Sequence, residues 1–122
     1  MTKLLDPRER SERGVALQTK IYGQPPPEPQ TPWEESIRDF VYAEVWNRPG
    51  LDLRTRSMLN LAMLTALNRP HELKLHVKGA LNNGVTKEEI REVLLQTAIY
   101  CGVPAAVDSF RNAREVFKEL GI

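Results

Sequence analysis

Apolar residues recur along most of this chain at spacings of three and four, the period of a helix with one buried face. No stretch alternates with period two for long enough to form a convincing strand. Asp6-Pro7 and Gly23 bracket a first helix, interrupted by Gly14, with Asp as cap, Pro in the first turn and Gly as the left-handed stop. Gly23 to Pro32, GQPPPEPQTP, has too many prolines for helix or central strand and is expected to run extended as a surface connector. A proline-rich ligand for a partner is the sharper alternative.

Thr31-Pro32-Trp33-Glu34 spells a capping box that starts a second helix, ended by Pro49-Gly50. Trp33, Ile37, Phe40, Val41 and Val45 form its predicted apolar stripe, and Glu44 falls on the same stripe. A third helix is predicted from about Asp52 to Asn68. Its second half, MLNLAMLTAL, is apolar nearly all round, which suits the centre of a core or a subunit interface. Pro70 opens a fourth helix and Gly84 closes it, with Leu73, Val77, Ala80, Leu81 and His76 on the buried face. A second capping box, Thr86-Lys87-Glu88-Glu89, starts a fifth, with Ile90, Val93, Leu94, Thr97, Ala98 and Cys101 inward. The sixth runs from Pro104 to Leu120 with Val107, Phe110, Ala113, Val116 and Phe117 as its stripe. The pattern predicts one all-α domain over residues 1–122, residues 1–30 being helix and connector and 31–122 the core.

Composition narrows the classes. Lys plus Arg number 17 against 16 Asp plus Glu, so no net field draws the chain to nucleic acid or an anionic membrane. Cys101 is the only cysteine, which excludes an internal disulfide, a CxxC redox pair and a Cys-rich zinc site, and fits a reducing, cytoplasmic home. The opening residues are too charged for a signal peptide, and Met58 to Leu67 is too short to cross a bilayer. No nucleotide loop, HExxH, GxSxG or acidic calcium loop is present. His71 and His76 lie five apart, about 500° around a helix, and so do not share a face as paired metal ligands would. No metal and no cofactor are expected.

What remains is titratable residues in apolar places, where burial moves a pKa toward neutrality. His76 has Glu72 one turn back as a possible orienting carboxylate, and Gly79 and Ala80 one turn on, which leave room for a ligand. It is equally readable as a core histidine bonded to a carbonyl or to Glu72, and Gly79 as close helix packing. Glu44 is either a proton-transfer group or an ion pair with Arg48. Arg48, Arg54 and Arg56 flank the Pro49-Gly50 turn, and one of them is expected to bind a carboxylate through its planar fork. Cys101 has no basic neighbour in sequence and reads as packing.

Taken together, EVWNRPGLDLRTRSMLNLAMLTALN, ELKLHVKGALNNGVTKEEIREVLLQTAIYCGVPAA and AREVF resemble the γ-carboxymuconolactone decarboxylases, continuously from about Phe40 to Leu120. That family is part of the alkylhydroperoxidase D-like superfamily, whose redox members carry a helical CxxC followed by His. Aligned through LRTRS and HVKGALNNG, this chain has Arg69 and Glu72 at the two cysteine positions, Ser57 at the acidic partner and His76 at the histidine. Thiol redox chemistry is thereby excluded.

The resemblance implies the six-helix fold of that superfamily and a cofactor-independent decarboxylation of γ-carboxymuconolactone to the enol-lactone of β-ketoadipate, in aromatic (protocatechuate) breakdown. It implies His76 and Glu44 as catalytic residues, Arg56 first and Arg48 second as holders of a substrate carboxylate, and a small dicarboxylate lactone as ligand. It also implies a homohexamer, a trimer of dimers. The alternatives are a paralogue acting on another lactone or unsaturated acid, and a non-catalytic helical oligomer that binds a small acid. The first thirty residues do not match the family as distinctively.

Overall fold

The computed structural model describes residues 5–122, which form six α-helices and one π-helical segment without a strand. The helices are α1 (Pro7–Tyr22), α2 (Pro32–Ser36), the π-helix (Ile37–Val45), α3 (Leu53–Ala66), α4 (Pro70–Asn82), α5 (Lys87–Tyr100) and α6 (Val103–Leu120). The fold is all-α, as the periodicity predicts. Two compact units meet in sequence between Leu53 and Arg54. None of the described helices is long and apolar enough to cross a membrane.

In the first unit, Asp6 caps α1 by accepting the N–H groups of Arg8 and Glu9, both at 3.1 Å, and Gly23 ends it at φ 81°. Gly14 is buried against the π-helix: a Cβ there would overlap the carbonyl oxygen of Arg38 and lie 2.9 Å from its carbonyl carbon. The glycine that seemed to interrupt α1 is thus what lets the two backbones meet. Residues 24–30 carry neither helix nor strand. Thr31 then caps α2 by accepting the Glu34 N–H at 3.2 Å, while the Glu34 carboxylate reaches back to the N–H of Gln30.

The stripe predicted for the second helix is corrected. Past Ser36 the ladder widens to i→i+5 bonds, such as Trp46 N–H to Val41 C=O at 2.9 Å, so each residue turns less around the axis and the packed face changes. Ile37 and Tyr42, five apart, pack with Trp46 against Leu17 and Ile21 of α1, and Ala43 is buried. Trp33 and Phe40, predicted to be inside, are 72% and 57% exposed, and Val41 also lies outside. The core of this unit joins Leu17, Ile21, Tyr42 and Trp46, with Tyr42 edge-on to Tyr22 and stacked on Trp46.

In the second unit one core gathers Leu61, Leu73, Val77, Ala80, Val85, Ile90, Leu94, Ala113, Val116 and Phe117. Each large side chain removed from water there contributes about 1.5–3 kcal/mol. The α5 capping box closes as predicted: Thr86 accepts the Glu89 N–H at 3.0 Å, and Glu89 accepts the Thr86 N–H at 2.9 Å. On α6 the stripe shifts, because Val107 is exposed while Ala106 and Ser109 are buried, Ser109 bonding Thr65 at 2.8 Å. Part of the apolar surface of α3 is outside. Leu61 is buried, but Leu59, Met63 and Leu67 are exposed, as are Leu95, Ile99 and Tyr100 of α5.

Candidate active site

His76 sits mid-way along α4, on the face that buries Leu73, Val77 and Ala80, and is 9% exposed. His71 is exposed, as the rotation between them requires. Burial pushes the His76 pKa below the ordinary imidazole value, and the charge of Glu72 pulls it the other way. At neutral pH the ring is therefore uncharged, with one nitrogen to donate and one to accept. Glu72 is exposed and acts on the ring through its charge, and the Asn60 amide of α3 also reaches the ring, its Nδ2 3.5 Å from His76 Nδ1.

A second polar pair lies on the same two helices. Asn83 Nδ2 donates to Ser57 Oγ at 2.9 Å, both residues buried, and Asn83 Oδ1 is buried with no hydrogen-bond partner among the described residues. Sequence reasoning singled out neither Asn60 nor Asn83. Their only signal was an uncharged polar side chain amid the apolar positions of α3 and at the end of α4.

Of the three arginines around the turn, Arg54 is committed to the scaffold. It pairs with both carboxylate oxygens of Glu89 and donates to the carbonyl of Gly84. That guanidinium, with the Thr86 N–H second, holds the Glu89 carboxyl down at about 2. Arg56 is half-buried on α3. Arg48, exposed beyond the π-helix, lines a cavity of about 160 Å³ together with Leu5, Arg13, Ala43, Glu44, Asn47 and Pro49.

Glu44 thus shares a cavity with Arg48, and its side chain is 12% exposed. Its ion pair is with Arg10, whose Nε lies 3.2 Å from Oε1, and the Leu5 N–H donates to the same oxygen at 3.0 Å. Glu44 and His76 belong to different units, and each is described within its own. Cys101 is half-buried at the end of α5, beside exposed Tyr100, where both line an open, mainly apolar groove with Met58, Leu59 and Val93. Among the described residues no three His, Cys, Asp or Glu side chains gather as a metal site.

The family model described as "Carboxymuconolactone decarboxylase family" matches residues 32–115. A 4-carboxymuconolactone decarboxylase of Acinetobacter baylyi is 46% identical over 90 residues, 74% of this chain and 67% of that protein. A nitrosuccinic acid decarboxylase of Metarhizium robertsii is 45% identical over 89 residues, 73% of this chain and 62% of its own length. An uncharacterized 15.0 kDa protein of Paracoccus denitrificans is 36% identical over 84 residues, 66% of this chain and 62% of its own length. The matched stretch is therefore a little under two thirds of the latter two proteins.

Proposed function

Since the chain belongs to the carboxymuconolactone decarboxylase family, we propose that it is a carboxy-lyase that removes CO2 from γ-carboxymuconolactone without a cofactor, giving β-ketoadipate enol-lactone. The observation that carries the chemistry is His76, buried and inside the residues the family model matches, where burial disfavours its charged form.

The substrate is its own electron sink. When the bond from the ring carbon to the departing carboxylate breaks, its electron pair passes through the ring double bond onto the lactone carbonyl oxygen. A dienolate results, and a proton delivered to the ring carbon beside the lactone carbonyl quenches it, leaving the double bond at the carbon that lost CO2, as in the enol-lactone. The protein must hold two carboxylates, keep water from the departing one and stabilise the oxyanion. In this reading His76 donates a hydrogen bond to the developing oxyanion or delivers the proton, and Glu44 is its acid/base partner. Arg56, or second Arg48, grips a carboxylate through its fork.

The reading includes a cytoplasmic homohexamer, a trimer of dimers, serving aromatic catabolism. The exposed Leu95, Ile99 and Tyr100 of α5 and Leu59 and Met63 of α3 support association, because large apolar side chains left exposed in such number favour a partner.

One observation favours a second substrate class: 45% identity to a nitrosuccinic acid decarboxylase. A nitro group beside the departing carboxylate accepts the electron pair as the lactone does, so the same histidine chemistry would serve. Measuring kcat/KM for CO2 release from both acids separates the two. The larger value on γ-carboxymuconolactone supports the first reading, and turnover of nitrosuccinate alone replaces it with the second.

A further inference from the structure

The carboxylate of Glu44 is held by the beginning of the chain. Leu5 N–H and Arg10 Nε both donate to Oε1, at 3.0 and 3.2 Å, and Arg10 Nη2 donates back to the Leu5 carbonyl at 2.8 Å. The three residues close a ring of hydrogen bonds across 39 positions of sequence. The turn that makes this possible is itself fixed, because Asp6 caps α1 on the N–H groups of Arg8 and Glu9. One turn beyond Arg10, Gly14 lets α1 lie against the backbone of the π-helix that carries Glu44.

Both donors fall on one oxygen. Among the described residues no hydrogen bond falls on Oε2, and Glu44 borders the cavity that also contains Arg13, Asn47 and Arg48. A carboxylate that exchanges protons or grips a substrate group must be presented in one rotamer, and a pinned Oε1 achieves this. A π-helical stretch is uncommon and recurs at functional positions, which fits a side chain aimed for use.

We propose that Arg10, with the Leu5 backbone, is the positioning device for Glu44, so that the first turn of α1 belongs to the catalytic apparatus. Arg10 lies outside residues 32–115, which the family model matches, and the inference rests on the proposed acid/base role of Glu44.

The test compares wild type with Arg10→Met, Arg10→Lys and Glu44→Gln, measuring kcat and KM for CO2 release and hydrogen exchange at the Leu5 amide. Arg10→Met is expected to lower kcat about 10- to 100-fold, the cost of a misplaced group, with KM within about threefold. Arg10→Lys recovers part of the loss, since it keeps the charge without the fork. The Leu5 amide is protected in wild type and loses protection in Arg10→Met. Wild-type kcat in Arg10→Met, while Glu44→Gln collapses, overturns the proposal and leaves the role of Glu44 standing. A rise in KM alone makes Arg10 a substrate ligand and also overturns it. Wild-type kcat in Glu44→Gln removes the role of Glu44 and the proposal with it, as does a wild-type protein that turns over neither acid. If Arg10→Met fails to fold, Arg10→Lys decides: a reduced kcat at unchanged KM supports the proposal, and wild-type kcat overturns it.

Discussion

Replacing Gly14 by Ala tests the contact on which the placement of Arg10 and Glu44 depends. The added Cβ would overlap the carbonyl oxygen of Arg38, with Arg38 C at 2.9 Å and its Cγ at 3.0 Å. The first two are backbone atoms, which cannot swing aside as the tip of a side chain would. The helices must therefore separate. Overpacking of this kind costs about 1–3 kcal/mol, and a clash with backbone belongs at the upper end. Against it, Ala is a better helix former than Gly by about 1 kcal/mol. The net loss is about 2 kcal/mol. With a urea dependence of about 1–3 kcal/mol/M, the unfolding midpoint is expected to fall by roughly 1 M at unchanged slope. Far-UV circular dichroism during urea titration measures this, and kcat should fall as Glu44 loses its alignment. An unchanged or higher midpoint would refute the reasoning, since propensity alone would then decide and the backbones would not be in contact.

Three further outcomes are expected. The folded pKa of His76 is depressed, so as pH falls below about 6.5 the unfolded chain binds a proton first; stability rises with pH between the folded pKa and about 6.5, by at most about 1.4 kcal/mol per pH unit, and is flat above. Urea unfolding across that range in wild type and His76→Gln checks it, and an equal slope in both excludes His76 as the cause. Arg54→Met is expected to return the Glu89 carboxyl from about 2 toward the ordinary carboxylate range, read by carbon-13 NMR titration, and a midpoint that stays near 2 would show that Arg54 is not the cause. Ile99→Glu puts a charge on a side chain that is 75% exposed in the single chain; light scattering should show a smaller assembly at unchanged helicity, and an unchanged mass would remove α5 from the interface.

The helix boundaries were legible because they rest on local chemistry. Asp6, Thr86 with Glu89, Gly23 and Gly121 act on backbone groups within one turn of themselves, so spacing alone reveals them. The buried face of α4 was legible for the same reason, since an ordinary α-helical period holds from Leu73 to Ala80. The face of the second helix was not, because nothing in IRDFVYAEV announces the wider i→i+5 ladder that turns Phe40 out and Tyr42 in. The partners of the candidate residues were hidden by distance: Arg10 with Glu44 is 34 residues apart, Arg54 with Glu89 is 35, and Asn60 with His76 is 16. The sequence could offer Glu44 only a neighbour on its own helix, Arg48, and His76 only Glu72. Val107 read as core, and the all-round apolar α3 as core or subunit interface, because periodicity marks a face as apolar without saying what covers it.

The central claim is that a buried, uncharged His76 serves a decarboxylation. It is tested most directly by adding γ-carboxymuconolactone to protein dialysed against a chelator and following ultraviolet absorbance and released CO2 for wild type and His76→Ala. The account predicts loss of absorbance with one CO2 per lactone in wild type, and a kcat lower by about 10²- to 10⁴-fold in the variant at retained helicity. Lactone left unchanged by wild type, or near-full activity in His76→Ala, would contradict it.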